Sequence, residues 1–257
     1  MSLPRAAGLA AIGRTVAWIA DVVFPRDCVG CGTPLRPASR GEFCAGCLAS
    51  LPWMPEPVCA VCGEGFKVPS PGDADRFAGR VCVRCREDPP PFIRARAAFA
   101  YQGAIRHAVQ ALKFRGRRAA GGALGRLMVE GLDRAGEIPQ GIAMIAPVPL
   151  HRSRLRQRGY NQAALVAEPL AAALGLPLEE DVLVRERPTP PQVGLDRRER
   201  VLNLAGAFAV TAPGRVGGKR VLVVDDVLTT GATVSACAGA LVKAGAQEVR
   251  VAAVARG

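Results

Sequence analysis

No run of eighteen uncharged apolar residues occurs in this 257-residue chain, so no helix is expected to span a membrane. Aromatic residues make up only 5%. A bound nucleic acid would find few rings to stack on, and its sequence preference should be slight. Lysine is scarce, nearly all of the 34 basic residues being Arg, which meets phosphates bidentately where Lys acts as a point charge. Also missing is the glycine-rich loop ending in Lys-Ser or Lys-Thr that an ATPase requires, since Lys219 is followed by Arg220. A phosphate-accepting receiver would carry its acidic pair early in the domain. Here Asp225-Asp226 stands about thirty residues from the end.

An apolar content of 49% is enough to bury a core in one large domain or two. The start of the chain, residues 1–24, is apolar and basic, but Arg14 divides its uncharged stretches 6–13 and 15–20, and Asp21 follows. This pattern predicts an amphipathic helix over 1–27 rather than a signal peptide with a continuous apolar middle. The chain is therefore expected in the cytoplasm, where that helix could also make peripheral contact with the inner face of the membrane. The net charge of +12 is uneven. Residues 1–100 hold 12 basic and 9 acidic side chains, and residues 101–257 hold 22 and 13. Such a surface suits nucleic acid or a small polyanion, and charge alone does not choose between them.

Eight of the nine cysteines fall in four Cys-x-x-Cys pairs: Cys28/Cys31, Cys44/Cys47, Cys59/Cys62 and Cys82/Cys85. Two thiolates on a tight turn can reach one tetrahedral Zn²⁺, and two such turns close a structural site. A disulfide framework would need an oxidising compartment that nothing else in the sequence supports. Consecutive pairing leaves 12 and 19 residues between knuckles, comfortable for two zinc ribbons; a cross-brace of first and third knuckles stays open. Cys237 stands apart and reads as a small buried hydrophobe.

The most informative segment runs from Arg220 to Thr233. Val221-Leu222-Val223-Val224 predicts a strand buried on both faces, ended by Asp225 and Asp226. Thr229, Thr230, Gly231, Ala232 and Thr233 form a short loop entering a helix over 234–243. Carboxylates accept hydrogen bonds from a sugar diol. A helix N-terminus favours an anion, and Gly231 lets backbone approach it closely. The segment is shaped for a sugar diol at one end and a phosphate at the other.

Around it the pattern alternates. Strands are expected over 97–101, 142–148, 181–185, 207–211, 221–225 and 249–254, and helices over 104–114, 121–133 and 160–174. This predicts an α/β domain with a mainly parallel sheet, in which ligands bind beyond the carboxyl ends of the strands. The organisation reads as a helix over 1–27, a double zinc ribbon over 28–88, a Pro-rich linker over 89–96 containing Pro89, Pro90 and Pro91, and the α/β domain over 97–257. Two basic segments bracket the site in sequence. One runs from Pro147-Val148-Pro149-Leu150-His151-Arg152 through Arg154, Arg156 and Arg158; the other, residues 185–203, is long and Pro-interrupted and reads as a mobile loop. Lys113, Arg115, Arg117 and Arg118 form a third basic cluster at a helix end, where they would also complement the dipole.

The Asp-Asp segment resembles the phosphoribosyl-pyrophosphate motif of type I phosphoribosyltransferases. Taken with the zinc knuckles, the Pro-Val-Pro-Leu turn, Arg158-Gly159-Tyr160-Asn161-Gln162 and Arg200-x-x-Asn203-x-x-Gly206-Ala207-Phe208, the order of motifs resembles the ComF (ComFC) family of competence proteins, from about Pro25 to the C-terminus. The resemblance implies a type I phosphoribosyltransferase fold preceded by a small double zinc-ribbon module, with two structural Zn²⁺. It implies phosphoribosyl pyrophosphate as ligand, bound with Mg²⁺ held largely by substrate oxygens and water. Asp225 and Asp226 would hold the ribose hydroxyls, Thr229 to Thr233 the 5′-phosphate, and Pro149, Leu150, His151 and Arg152 the pyrophosphate. Arg187, in the mobile loop, would act with the two aspartates in catalysis. It further implies a part in natural transformation, with single-stranded DNA on Arg115, Arg117, Arg118, Arg154, Arg156 and Arg158, and the DNA-uptake machinery as partner. A nucleobase-salvage phosphoribosyltransferase and a catalytically inactive binding protein of the same fold are the alternatives. The zinc module, for which salvage has no evident need, argues against the former.

Overall fold

A computed structural model describes residues 26–36, 41–68, 70–188, 204 and 206–257. Residues 1–25 of the helix expected over 1–27 and residues 189–203 of the expected mobile loop lie outside them; Arg26 and Asp27 are described and are not helical, Asp27 forming a bridge with Pro34 instead. The described elements are α1 (Ala45–Ala49), a 3₁₀ turn (Pro71–Phe77), α2 (Val83–Glu87), β1 (Arg94–Ala100), α3 (Gly103–Phe114) and α4 (Ala119–Arg134). They continue with β2 (Met144–Pro147), α5 (Arg152–Arg158), α6 (Gln162–Leu174), β3 (Leu183–Arg185), β4 (Phe208–Val210), α7 (Pro213–Val216), β5 (Arg220–Leu228), α8 (Ala232–Lys243) and β6 (Glu248–Arg256).

Four strands make a parallel sheet in the order β1-β6-β5-β2, and β3 pairs with β4 in a separate two-stranded antiparallel sheet. The period of two explains why β5 is apolar throughout its first half. Val221 and Val223 pack with Val234, Cys237 and Leu241 of α8 on one face. Leu222 and Val224 pack on the other with Ile105, Val109 and Leu112 of α3 and with residues of α4 and α6. Helices thus cover both faces, as a parallel sheet requires.

Two boundaries differ from expectation in ways that shape the site. β1 starts at Arg94 rather than at residue 97. β5 does not end at its carboxylates: it continues to Leu228 because β6 runs on beside it, with Val227 opposite Ala255 and Leu228 opposite Arg256. On the other edge β2 stops at Pro147, opposite Val224. Past Val224, β5 therefore has a strand partner on one side only, and Asp225 and Asp226 occupy that half-open stretch.

Helices α4 and α6 approach closely. A Cβ on Gly125 would lie 2.4 Å from the Val166 carbonyl oxygen and 2.8 Å from Pro169, whereas one on Gly122 would meet nothing nearer than the tip of Arg126 at 3.5 Å. Gly125→Ala should therefore destabilise the protein by about 1–3 kcal/mol through overpacking, a fall in thermal midpoint of roughly 2–12 °C. Gly122→Ala should raise the midpoint, since Ala is favoured over Gly in a helix interior by about 1 kcal/mol. Thermal unfolding of the two variants checks the packing directly.

Candidate functional site

The eight knuckle cysteines gather into two sets, Cys28/Cys31/Cys44/Cys47 and Cys59/Cys62/Cys82/Cys85, with the sulfurs of each set within 4.8 Å of one another. This is the consecutive pairing, not the cross-brace. Tetrahedral Zn–S bonds of ~2.3 Å place sulfurs ~3.8 Å apart. Cys31 and Cys44 are separated by 3.7 Å and Cys62 and Cys82 by 3.8 Å. The backbone N–H of Cys44 donates to Cys28 Sγ at 3.2 Å and that of Cys82 to Cys59 Sγ at 3.3 Å, bonds that favour thiolates over thiols. The donor set fits a soft tetrahedral metal.

Neither set stands apart from the sheet. Cys28, Val29, Leu35, Phe43 and Cys47 belong to the core under α3. His107 of α3 donates through Nδ1 to the Gly30 carbonyl at 2.9 Å, and Arg117 donates to the Asp27 carbonyl at 2.7 Å. The second knuckle set is tied to β1 and β6. Ala95 N–H donates to the Val61 carbonyl at 2.7 Å, and Arg256 donates to the Cys62 carbonyl at 2.8 Å.

At the half-open stretch of β5, the two carboxylates point to opposite faces, as consecutive strand residues must. Asp226 faces α3, where Lys113 Nζ lies 2.8 Å from its Oδ1. Its Oδ2 is buried with no hydrogen-bond partner. Burial opposes the Lys113 charge, but Asp226 outweighs it and holds the ammonium above its usual range. Asp225 faces Cys237 and Arg185, and its Oδ1 accepts the Asp226 N–H at 2.8 Å. Burial, then the Asp226 charge, pushes Asp225 up to about 7 against the pull of Lys113. Cys237 is fully buried on α8, as its lone position suggested.

The Thr229–Thr233 segment leads from β5 into α8. Gly231 sits at φ 81 as N-cap, a left-handed conformation that glycine adopts freely. Thr230 Oγ1 accepts the Ala232 N–H at 3.4 Å. Thr229 is exposed and Ala232 buried, so the loop opens to solvent ahead of the helix N-terminus. From the neighbouring strand, Pro149 and Leu150 lead to His151, which caps α5 by accepting the Ser153 N–H and forms a bridge with Arg185 at the end of β3.

The Arg158-Gly159-Tyr160-Asn161-Gln162 motif is largely a clamp. Gly159 closes α5 at φ 78. Tyr160 donates to the Leu112 carbonyl beside Lys113, and Arg158 donates to Gln162. Asn161 donates to the Val148 carbonyl at 3.1 Å while capping α6 through the Ala163 N–H. The expected nucleic-acid residues accordingly divide. Arg115, Arg118, Arg154 and Arg156 are exposed. Arg117 is half-buried against Asp27, and Arg158 turns toward Asp226. Arg152 is exposed at the start of α5, and Arg187 is exposed just beyond β3.

Sequence reasoning missed two residues. From sequence Lys113 reads as one member of a basic cluster at a helix end, yet it is the counter-ion of Asp226. The pattern places Arg185 at the start of the mobile loop, yet it ends β3 and its charge reaches Asp225. Burial pulls both Arg185 and Arg158 down, and Arg154 adds repulsion to each. The period of three to four residues in α3 places Lys113 beside the buried Val109 and Leu112, a signal available beforehand. No helix among the described residues is long and apolar enough to cross a membrane.

Comparison with known proteins agrees with both halves of this geometry. The double zinc ribbon domain family matches residues 19–86, and the phosphoribosyl transferase domain family matches residues 161–257. The two cysteine sets are thus zinc-binding sites of the double-ribbon kind. Over 202 residues the chain is 34% identical to DNA utilization protein YhgH of Salmonella typhimurium, covering 76% of this chain and 88% of that protein. It is 29% identical over 237 residues to competence protein F of Haemophilus influenzae, covering 91% and 98%. With competence protein ComFC of Bacillus subtilis it shares 25% identity over 210 residues, 79% of each chain.

The raised Asp225 has a consequence for stability. Unfolded, this carboxyl ionises near the ordinary value of about 4; folded, it does so at about 7. Between those values the folded state holds the proton more tightly, so stability falls as pH rises from about 4 to 7 and then levels. Asp225→Asn should remove that fall. Thermal midpoints measured across pH should show the variant gaining on the parent up to about pH 7, and parallel curves would refute the assignment.

Proposed function

As the chain belongs to the family of competence protein F and DNA utilization protein YhgH, we propose that it binds phosphoribosyl pyrophosphate with Mg²⁺ at the end of β5. We further propose that it handles single-stranded DNA on neighbouring arginines during DNA uptake. The observation that carries the ligand reading is the buried, unpartnered Oδ2 of Asp226 at the half-open end of β5, with the Arg158 charge close enough to feel it. A buried carboxylate oxygen without a donor is a standing free-energy cost that a ribose hydroxyl or a hard cation would remove.

On this reading Asp225 and Asp226 accept hydrogen bonds from the ribose hydroxyls. The N-terminal turn of α8, with Thr229, Thr230 and Thr233, receives the 5′-phosphate. Pro149 to Arg152 shape the pyrophosphate end, and Arg154, Arg158 and Arg185 supply positive charge from the surrounding elements. Mg²⁺, when bound, neutralises pyrophosphate oxygens and is coordinated mostly by them and by water. Displacement at the anomeric carbon needs little proton transfer from side chains. Positioning and fixed positive charge around the leaving group would supply most of any acceleration. Two structural Zn²⁺ complete the proposal, each organising a knuckle set with little core of its own.

Calorimetry with phosphoribosyl pyrophosphate and Mg²⁺ tests the ligand. Asp226→Asn should weaken binding by about ten- to a hundredfold, the worth of one charge-assisted hydrogen bond, and unchanged affinity would place the ligand elsewhere. A pyrophosphate-release assay comparing free nucleobases, single-stranded DNA and no acceptor then distinguishes a DNA-linked enzyme from a salvage enzyme, and both from a binding protein without catalysis.

Metal analysis of the purified chain should return two zinc ions. Cys31→Ser and Cys62→Ser should each lower the content by about one, and Cys237→Ser should leave it unchanged. One zinc or none in a protein never exposed to chelator would remove the structural-zinc proposal.

A further inference from the structure

Phe114 is the most exposed large hydrophobic residue among those described, with 75% of its surface open to solvent. It ends α3, directly after the buried Leu112 and the site-facing Lys113, and it is followed by Arg115, Gly116, Arg117 and Arg118. Phe is among the residue types most often buried, yet this ring stands open among cations, with no acidic residue between positions 113 and 118. Arg118 turns back so that its guanidinium lies 5.3 Å from the centre of the Tyr160 ring. A cavity of about 380 Å³ begins there, lined in part by Arg118, Tyr160, Arg152 and Leu155, with Glu168 and Glu180 also in its wall.

Helix α5 continues the same surface. It buries none of its seven residues, four of which are Arg, and Leu155 is 42% exposed in their midst. Arg152, Arg154 and Arg156 are all exposed. The surface from Phe114 to α5 thus combines an open aromatic face with a row of cations.

We propose that Phe114 is a base-stacking platform for single-stranded DNA, whose backbone runs from Arg115 past Arg118 toward α5. This rests on the DNA reading above and names the contact that reading lacks. Every base has a π-face, so one exposed ring beside a cationic track holds a strand without choosing its sequence. The charge complementarity favours a polyanion, and the ring favours one that carries unpaired planar groups.

Stacking and phosphate contacts separate by their response to salt. Titration of a fluorescent oligo-dT with Phe114→Ala should show affinity lowered about five- to a hundredfold, with the slope of log K against log salt unchanged. Arg115→Ala should instead reduce that slope by about 0.7, the share of one single-strand phosphate contact. Phe114→Trp should retain binding. On an oligonucleotide of abasic sites the parent and Phe114→Ala should bind alike, because no base remains to stack. Failure of the parent to bind oligo-dT would overturn the DNA reading and this inference together. Binding by the parent with no loss in Phe114→Ala overturns this inference alone, as does an equal loss on the abasic strand. Loss confined to anionic vesicles, with DNA binding intact, would make Phe114 a membrane contact and overturn it as well.

Discussion

A carboxylate buried at a strand end must be compensated, and the way Asp226 is compensated organises much of the molecule. Taking a charge out of water costs several kcal/mol even after relaxation. Lys113 offsets this through Oδ1 alone, leaving Oδ2 without a donor. For Lys113 to arrive there, the last turn of α3 must stop over the carboxyl end of β5. Tyr160 holds that turn by donating to Leu112, and Asn161 ties the same clamp to the segment leaving β2. Three elements distant in sequence are thereby registered on one side-chain pair. The pair is half-finished: its charge is matched while one hydrogen-bonding site is open.

The zinc ribbons bear on this arrangement because they are not a separate bead on a linker. Short loops between knuckles cannot bury enough apolar surface to fold alone. Here each knuckle set borrows the α/β domain as a partner, the first packing on α3 and the second on β1 and β6. The first set contacts α3 at both ends, through Gly30 near its start and Asp27 just beyond its end. A Cβ on Gly30 would come 2.9 Å from that of Ala104, so the knuckle turn lies flat on the helix. The helix that delivers Lys113 is therefore held from outside by the first knuckle and from inside by Tyr160. The second set contacts β1 and β6, and its ties run through buried Arg96 and Arg256. Both ribbons brace the α/β domain, but only the first braces the element that supplies the counter-ion.

Much of this was legible from local pattern. Cys-x-x-Cys spacing carries the metal sites because two thiolates on one turn have few other uses, and the apolar core of β5 carries the sheet because β-branched residues buried on both faces have few other homes. The paired aspartates could also have been assigned to opposite faces by the period of two. What escaped were contacts with no periodic signature. Lys113 looks like any basic residue at a helix C-terminus until α3 is laid across β5. Arg117 looks like a surface cation until Asp27 of the first knuckle is brought beneath it. The carboxylates seemed to end β5 because charge ordinarily ends a buried strand, but β6 extended the ladder and Lys113 supplied the missing charge. In each instance long-range packing outweighed the local preference.

The arginines show the same logic on the other side of the charge balance. Arg154 repels both Arg158 and Arg185, which burial already pulls below their usual range. Like charges crowd together in a fold only where the scaffold fixes them, and here the capped ends of α5 and the bridge between His151 and Arg185 do so. The two carboxylates, turned to opposite faces, each attract one of these groups, Asp226 the Arg158 guanidinium and Asp225 that of Arg185. The positive potential of these arginines thus lies near the half-open end of β5. An anion entering there would relieve repulsion already present in the folded chain, without requiring the arginines to be gathered at the moment of binding. The exposed arginines of α5 extend that potential across the surface, where it falls off with salt over about 10 Å. A small polyanion at the strand end and a longer one along the helix would draw on the same field.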